Sequence, residues 1–418
     1  MLLKIVEYSF LIRIFNNLLS DIDKINVIKC SKFLYDNKHK MRFNNIYKCY
    51  KKNTKLWYYN CLTKIKVLTL FKYPENVTHV YLGDGTFNSQ PNLPQSTIFL
   101  QTGKYFNCSL SNLPISLKTL LISSIAIKIL SSDNLPKGIK VLILKNVNLT
   151  ISSLPNSIDK LIIDHGICKI ENDALKNIES LIIDDCSILD VEDFGLKLKE
   201  LILEGHCNND LAFKLPETLE TLVLGRFFTN GASKNLNGVI PNSVKLLKIK
   251  NCNEVRFYGA IPHSVKELHL LSRSFVQFNE EILIPHSVET LYLNICRAVA
   301  PRVIPDSVTK LIFNPYSLYC LKGVIPNSVV HLEFGENFNC DVIGHLPSNL
   351  KHLKLTKHFN KSLVSALPEG LTHLILSNVP KESLKRILPS SIKYLSFSGE
   401  IGENFLENIP VSLKHLTL

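Results

Sequence analysis

The sequence IPNSVVHLEF at residues 325–334 is one copy of a pattern that recurs along most of this 418-residue chain. In every copy but that of Pro94, which has threonine at two of these positions, apolar residues lie three, six and eight positions after the start, as Val329, Leu332 and Phe334 follow Pro326. The prolines that begin these copies are Pro74, Pro94, Pro114, Pro136, Pro155, Pro216, Pro241, Pro262, Pro285, Pro305, Pro326, Pro347, Pro368, Pro389 and Pro410. Two further copies have Leu175 and Gly195 in place of the proline, which makes 17 repeats, most often 21 residues apart. A regular period of this length indicates a repeat architecture.

Each repeat predicts one strand, because apolar residues at positions six and eight give the period of a strand with one buried face. The proline has no N–H and a fixed φ, so it suits the bend before the strand. Ser328, two residues after Pro326, is typical of a residue that satisfies the backbone of this turn. The frame Val244-x-x-Leu247-x-Ile249-x-x-Cys252 matches that of leucine-rich repeats. We therefore predict a solenoid, a leucine-rich-repeat-like stack of about 17 short coils over residues 62–418, with a parallel β-sheet on its concave face.

The composition limits the class of protein. A hydrophobic content of 45% with 20% charged residues is enough for a packed core. The chain has no apolar run of 18 residues, so we expect no membrane span. Eleven cysteines without a C-x-x-C pair favour a reducing, intracellular compartment, which we take to be the cytoplasm. Neither a phosphate-binding loop nor an H-E-x-x-H sequence is present, so we predict a non-enzymatic protein without cofactor or metal.

Residues 1–40 differ from the repeats and predict a small α-helical segment. Their apolar residues recur at spacings of three and four, which is the period of an amphipathic helix. These residues are Ile12, Phe15, Leu18, Leu19, Ile22, Ile25 and Ile28. Ser20, with Asp23 three residues later, indicates that a second helix begins there and continues to about residue 37.

Residues 41–61 alternate basic and aromatic side chains and predict a hinge that caps the first coil. Residues 1–60 contain 12 Lys and Arg against 4 Asp and Glu, so most of the net charge of +12 lies at this end. Basic and aromatic residues in alternation can also bind single-stranded nucleic acid, and residues 38–60 are the candidates. Because the terminal coil of a solenoid must be covered, we favour the cap and keep nucleic acid as an alternative.

Positions five, seven and nine after each proline are expected to point out of the sheet, onto the concave face. At position seven, six successive coils carry large apolar residues: Leu121, Ile143, Ile162, Ile182, Ile202 and Val223. Acidic residues lie beside them, at Asp164, Asp184, Asp185 and Glu204. An exposed apolar patch bordered by charge predicts a site for a protein partner. The alternative is that these residues only suit strands, or that a loop covers them.

A second row occupies position five of the last coils: His331, His352, His373, Tyr394 and His415. Two such imidazoles could share a zinc ion, but a straight row closes a tetrahedron poorly. A repeated surface residue and a pH-sensitive part of the binding surface are the other interpretations. The last repeat ends at Leu418 without a capping helix, from which we expect either tail-to-tail self-association or a bound protein at the C-terminal coil.

The repeats resemble those of the FNIP family, a relative of leucine-rich repeats known from amoebae and the large DNA viruses that infect them. The Phe-Asn pair of that family is present at Phe87-Asn88, Phe106-Asn107, Phe338-Asn339 and Phe359-Asn360. The N-terminal sequence LSDIDKIN at residues 19–26, followed by CSKFLY at 30–35, resembles the second half of an F-box, although the usual opening Leu-Pro is missing.

These resemblances imply a substrate receptor or adaptor of a ubiquitin ligase. The residues implied in docking the ligase adaptor subunit are Phe15, Leu18, Leu19, Ile22, Ile25 and Ile28. The concave face would then bind the target protein. The competing interpretation is a stand-alone interaction scaffold whose F-box-like segment no longer docks.

Overall fold

Every one of the 17 predicted repeats contains a β-strand. A computed structural model describes residues 20–21, 24, 42–49, 62–67, 73, 76–85, 90–171, 173–190, 194–205, 215–225, 236–250, 259–271, 284–295, 299–315, 321–377, 387–398 and 409–417. The chain forms two units, Met1–Leu198 and Lys199–Leu418. The predicted solenoid of stacked parallel strands is confirmed in each.

In the first unit the strands are β1 (Phe43–Cys49), β2 (Leu62–Val67), β3 (His79–Leu82), β4 (Phe99–Gln101), β5 (Thr119–Ile122), β6 (Ile129–Leu130), β7 (Val141–Ile151), β8 (Lys160–Ile170) and β9 (Ser180–Asp190). Neighbouring strands pair in parallel in chain order, except that β5 pairs with β7 and the short β6 pairs with the end of β7. Consecutive coils are therefore neighbours, as a solenoid requires.

In the second unit the strands are β10 (Glu200–Leu203), β11 (Thr221–Leu224), β12 (Leu246–Ile249), β13 (Glu267–Leu271), β14 (Thr290–Ile295), β15 (Lys310–Pro315), β16 (His331–Phe334), β17 (His352–Leu355), β18 (His373–Ser377), β19 (Tyr394–Ser398) and β20 (His415–Thr417). Each strand pairs in parallel with the next, without a register shift. Residues at the same repeat position therefore form rows across the strands.

The alternation of side chains along each strand separates a core face from an open face, which carries positions five and seven. In β16 the residues alternate between half-buried and buried, and Leu332 is fully buried. The apolar residues at positions three, six and eight fill the core, as Val329 and Phe334 do in this coil. Burying one such side chain contributes about 1.5–3 kcal/mol, so the repeated positions stabilise the fold.

The serine two residues after the proline connects neighbouring coils. The Ser328 hydroxyl donates to the carbonyl oxygen of Val308 in the preceding coil, at 2.8 Å. The same contact is made by Ser96, Ser116, Ser243, Ser264, Ser307, Ser391 and Ser412. The turn itself is closed by the backbone, since the Val329 amide donates to the Pro326 carbonyl at 3.2 Å. The structure therefore differs from the prediction, because the serine hydroxyl bonds to the preceding coil and not to the backbone of its own turn.

The Phe-Asn pairs have a structural role in the stack. Phe338 and Phe359 are buried and stack with ring centroids 5.9 Å apart. The asparagine after each phenylalanine connects the coils, because the Asn360 amide donates to the side-chain oxygen of Asn339 at 3.0 Å. Phe106 is likewise buried, whereas the Phe87-Asn88 pair and Cys252 lie outside the described residues.

Strand β1 lies inside the segment that we predicted to be a hinge and cap, and it adds a strand ahead of the first repeat. It pairs with β2, and Phe43 is buried in the core. This ring is therefore not available to stack on a nucleic acid base.

Two charged residues of the N-terminal segment are buried against β1. The Lys24 ammonium donates to the Arg42 carbonyl at 2.8 Å and lies 3.3 Å from the Asp21 carboxylate. The other oxygen of Asp21 accepts from the Asn45 amide at 2.8 Å. Asp21 and Lys24 are 3% and 0% exposed, so this ion pair belongs to the covering of the first strand.

The predicted N-terminal helices are described at few positions. Asp21 and Lys24 have helical backbone, and the Lys24 amide donates to the Ser20 carbonyl at 2.9 Å. The rest of residues 1–40, with the predicted docking residues, lies outside the described part of the chain. Within that described part, we find no helix of the length and apolar character that a membrane span requires.

Candidate functional site

The first candidate surface is the isoleucine row, formed by Leu121, Ile143, Ile162 and Ile182 on the open face of the first unit. The four residues are direct partners in successive strand pairs, from β5 to β9. Each is partly exposed, whereas the next residue in each strand is buried. At about 4.8 Å per strand the row is about 14 Å long, which suits a short apolar segment of a partner.

Ile202 and Val223 were predicted to continue this row, and they lie on the open face of the second unit. They are register partners of β10 and β11. Ile202 is partly exposed, but Val223 is only 7% exposed. The prediction of an exposed side chain is therefore wrong for Val223.

An ion pair spans the coil that carries Val223. The Lys250 ammonium binds the Glu204 carboxylate across the coil between them, whose residue at this position is Gly225. A Cβ at Gly225 would lie 2.2 Å from the Glu204 carbonyl oxygen, so only glycine fits there. The predicted acidic residue Glu204 is thus neutralised by Lys250.

The predicted acidic edge of the isoleucine row is present at Asp164 and Asp184, which are register partners in β8 and β9. Asp164 forms an ion pair with Lys145, and the Nδ1 atom of His165 lies 2.5 Å from its other oxygen. Burial by itself would raise the pKa of the Asp164 carboxyl, but the bonds from Lys145 and His165 hold that pKa below its usual value. The side chain of Asp185 lies outside the described residues.

His165 is a neighbour that the sequence did not point to. It has a φ of 57°, at the corner where β8 turns, and Asn146 has a φ of 53° at the matching corner of β7. Among the described residues, Asp164, His165 and Asp184 bring possible metal-binding atoms within 4.8 Å of one another. Since Lys145 already neutralises Asp164, an ion would have to displace this lysine.

The second candidate surface is the histidine row, formed by His331, His352, His373, Tyr394 and His415 on the open face of β16 to β20. The five rings stack in register order. Centroid separations along the row are 5.2, 4.0, 4.1 and 4.7 Å, with interplanar angles of 23°, 21°, 9° and 7°. The sequence therefore predicted the members of this row correctly, but not their stacking.

The stacking opposes the predicted zinc alternative for this row. The lone pair of a ring nitrogen lies in the plane of the ring, so stacked rings direct their lone pairs within separate, nearly parallel planes. A tetrahedral zinc site needs lone pairs that converge on one point.

Charged residues at position seven flank the histidine row. The Nε2 atom of His331 lies 2.8 Å from one oxygen of Glu333, and the Lys354 ammonium lies 3.3 Å from the other. Burial would raise the pKa of the Glu333 carboxyl, but these two partners hold that pKa below its usual value. Burial lowers the pKa of His352, and the neighbouring His373 and His331 lower it further.

The pKa of His373 is lowered as well, first by burial and then by Lys393 and His331. Its Nδ1 atom lies 2.9 Å from the Thr372 hydroxyl. The resulting groove has a volume of about 210 Å³ between the histidine row and position seven. Lys354 and Ile375 line it, although we had not predicted them. The rule that selected position seven in the first unit would have identified both residues.

Comparison with known proteins supports the repeat assignment. The FNIP Repeat model matches four times, at residues 297–337, 319–358, 338–379 and 359–400. No curated protein matches the chain.

Several solved structures have a similar fold. The crystal structure of CroV588, a novel circular LRR protein structure, is 26% identical, with a TM-score of 0.63. The match covers 86% of this chain but 56% of that protein, so this chain spans little more than half of its length.

Two further similarities are weaker. YopM from Yersinia enterocolitica WA-314 is 17% identical over 83% of this chain and 88% of that protein, with a TM-score of 0.39. The TLR13-ssRNA13 complex is 12% identical over 91% of this chain and 65% of that protein, with a TM-score of 0.48. The FNIP Repeat model and the similarity to CroV588 show that this chain contains FNIP repeats, matched over residues 297–400, in a leucine-rich-repeat-like solenoid.

Proposed function

We propose that this chain is a protein-interaction module that binds a target protein on the open face of its sheet. The observation that carries the proposal is the isoleucine row, in which four large apolar side chains stay partly exposed on adjacent strands. Apolar residues exposed in a contiguous group, with charge at the edge, are typical of partner sites. The strands also hold these side chains at fixed spacings, which lowers the cost of ordering them on binding.

The test begins with a partner identified by affinity purification and mass spectrometry, whose affinity is then measured for a double variant, Ile162→Asp with Ile182→Asp. Two carboxylates on the row should weaken binding at least about tenfold, since each must be desolvated in an apolar contact. The matched control is Ile115→Asp with Ile125→Asp, because these isoleucines are exposed but lie outside the row.

Circular dichroism should show that both double variants keep the fold. Unchanged affinity of the row variant, in a protein that remains folded, would overturn the assignment of the site.

At a finer level we propose that residues 1–40 dock the adaptor subunit of a ubiquitin ligase, which would make the chain a substrate receptor. This part is supported by the F-box-like sequence alone. Deleting residues 1–40 is a poor test, because Asp21 and Lys24 are buried against β1 and their loss would damage the solenoid.

The sharper test is Phe15→Glu with Leu18→Glu, followed by co-purification with the purified adaptor subunit. We expect the wild-type chain to retain the adaptor and the variant to lose it, while target binding is preserved. Failure of the wild-type chain to bind the adaptor would favour the competing proposal, a stand-alone interaction scaffold.

A further inference from the structure

We propose that the histidine row binds an acidic segment of a protein partner, with the ring edges donating hydrogen bonds to its carboxylates. This inference rests on the proposed function, since it names the chemistry of a partner at a second part of the open face. Three observations support it: the stacking of the rings, the distribution of charge around them, and the hydrogen-bonding capacity that the row leaves unused.

The stacking determines which part of each ring a partner can reach. Each inner ring lies between two neighbours at 4.0–5.2 Å, so its faces are covered and its edge points away from the sheet. The edge of an imidazole carries the N–H group, and the edge of Tyr394 carries the hydroxyl. The row therefore presents polar edges at about the spacing of the strands, and these edges suit a chain of hydrogen-bond acceptors.

These edges have unused capacity within the described part of the chain. No described residue forms a hydrogen bond with the rings of His352 and His415 or with the Tyr394 hydroxyl. His373 uses Nδ1 for the Thr372 hydroxyl, which leaves Nε2 at the other end of the ring. The four consecutive rings from His352 to His415 can therefore each form a hydrogen bond with a partner.

The charge around the row favours an anionic segment. Glu333 is the only carboxylate at positions five to nine of these five strands, and His331 and Lys354 already bind it. Lysines occur just before the row, at position four of three coils: Lys351, Lys393 and Lys414. All three are exposed, and Lys393 is near enough to lower the pKa of His373.

Neither Lys393 nor Lys414 forms an ion pair with another described residue. Lys310, the register partner of His331 on β15, adds a further positive charge at the start of the row. A carboxylate-rich segment would balance these charges, which supports an acidic peptide as the occupant.

A protein segment fits this row better than a nucleic acid. Proteins bind single strands by stacking bases on exposed aromatic faces. Here the three inner rings have a neighbouring ring on each face, so these rings offer only their edges. A carboxylate accepts hydrogen bonds from N–H groups, which lie in the plane of an imidazole and point out of its edge. The row offers donors of this kind.

Binding should depend on pH in a defined direction. The pKa values of His352 and His373 lie below the usual histidine value of 6.5, so in the free protein both rings are mostly neutral at a pH above 6.5. A bound carboxylate favours the imidazolium form and raises these pKa values. The complex therefore takes up protons, and binding strengthens as the pH falls. The other charged side chains around these rings are Glu333, which His331 and Lys354 bind, and the exposed lysines Lys351, Lys393 and Lys414.

The test uses a fluorescein-labelled ten-residue peptide of alternating glutamate and serine, with a glutamine–serine peptide as its uncharged counterpart. Affinity for the full chain is measured by fluorescence anisotropy at pH 8.0 and pH 5.5. The glutamates remain mostly ionised at both values. We expect the dissociation constant at pH 5.5 to be several-fold lower, since a one-unit rise in the pKa of one histidine changes the affinity by at most about tenfold. The glutamine peptide should bind weakly at both pH values.

The variant His352→Gln with His373→Gln keeps polar side chains in the row but cannot gain charge. It should bind the acidic peptide several-fold more weakly at pH 5.5 and lose most of the pH dependence. The matched control, His263→Gln with His286→Gln, changes two exposed histidines away from the row and should behave as the wild type.

Three outcomes would overturn the inference: equal binding of the two peptides, affinity independent of pH, or an unchanged affinity of His352→Gln with His373→Gln for the acidic peptide. A fourth would be that the wild type binds a ten-nucleotide single strand tightly and does not bind the peptide, while this histidine variant no longer binds the single strand. Failure of the inference is distinguishable from failure of the proposed function. If Ile162→Asp with Ile182→Asp weakens binding of the target protein while the acidic peptide fails these tests, the proposed interaction module stands. Only the proposal of an acidic segment is then rejected.

Discussion

Ser328 and Ser287 occupy the same position of the repeat but differ in one hydrogen bond. The Ser328 hydroxyl donates to the Val308 carbonyl of the preceding coil, whereas the buried Ser287 hydroxyl has no partner among the described residues. Ser328→Ala should lower the free energy of unfolding by about 0.5–1.5 kcal/mol, the usual contribution of such a bond. Ser287→Ala should be neutral or slightly stabilising. Urea unfolding of the two variants measures the difference, and equal losses would show that the bond between coils contributes nothing.

Leu332 allows a second test at this scale, because its side chain is fully buried at position six. Leu332→Ala removes core contacts and leaves a cavity, which should cost about 2–5 kcal/mol of unfolding free energy. The control is Leu196→Ala, the same substitution at a side chain that is 79% exposed, with an expected change within about 0.5 kcal/mol. Similar urea midpoints for the two variants would contradict the assignment of position six to the core.

Sequence reasoning worked best for residues like these. The period of the prolines placed Leu332 in the core and the row from His331 to His415 on the open face, because alternation along a strand depends only on spacing. It could not show that Ser328 bonds to the preceding coil, since that bond depends on the distance between coils. The burial of Val223 was missed as well, because the spacing of the repeat assigns a residue to a face of the sheet but does not show what packs over it.

At the scale of elements, strand β1 was not predicted. Residues 43–49 contain no proline and no repeat frame, and their polar residues obscure the period of a strand. Their place in the sheet is supported from outside the strand, by Asp21 and Lys24. Contacts between distant segments of this kind cannot be derived from a local pattern.

The same contacts give a prediction for β1. Lys24→Met removes the Lys24 ammonium from beside the buried Asp21 carboxylate, which should cost about 3–5 kcal/mol. Because a solenoid is stabilised coil by coil, the loss should appear first as faster hydrogen exchange in β1 and β2. Lys140→Met is the control, since it breaks an exposed pair with Asp159 and should cost less than about 1 kcal/mol.

The double variant Asp21→Asn with Lys24→Met decides whether the charge itself is responsible. Removing both charges leaves no buried ion, so the double variant should be more stable than Lys24→Met alone. If the double variant is the less stable of the two, packing of the lysine stem explains the effect and the ion pair does not.

At the scale of the whole molecule, stacked repeats place the same ionisable residue side by side, so the histidines should act together on stability. His352 and His373 have pKa values below the usual value of 6.5 in the folded protein. The unfolded chain therefore binds more protons between the folded and unfolded pKa values, and stability rises with pH there. On acidification the free energy of unfolding should begin to fall near pH 6.5 and continue falling until the folded pKa values are passed.

The second window lies lower and has the same direction, because the pKa of Glu333 is also below its usual value of 4.5 in the folded protein. Its contribution is present above that value and is lost as the pH falls through the folded pKa. Urea midpoints at pH 7.5, 6.0 and 5.0 test the histidine window separately from this one. His352→Gln with His373→Gln should flatten the decline between pH 7.5 and 5.0, whereas His263→Gln with His286→Gln should leave it unchanged. A wild-type midpoint that stays constant over this range would show that the stacked imidazoles have the same pKa values in the folded protein as in the unfolded chain. In that case there would be no repulsion between the imidazolium groups of the row for the acidic glutamate–serine peptide to relieve.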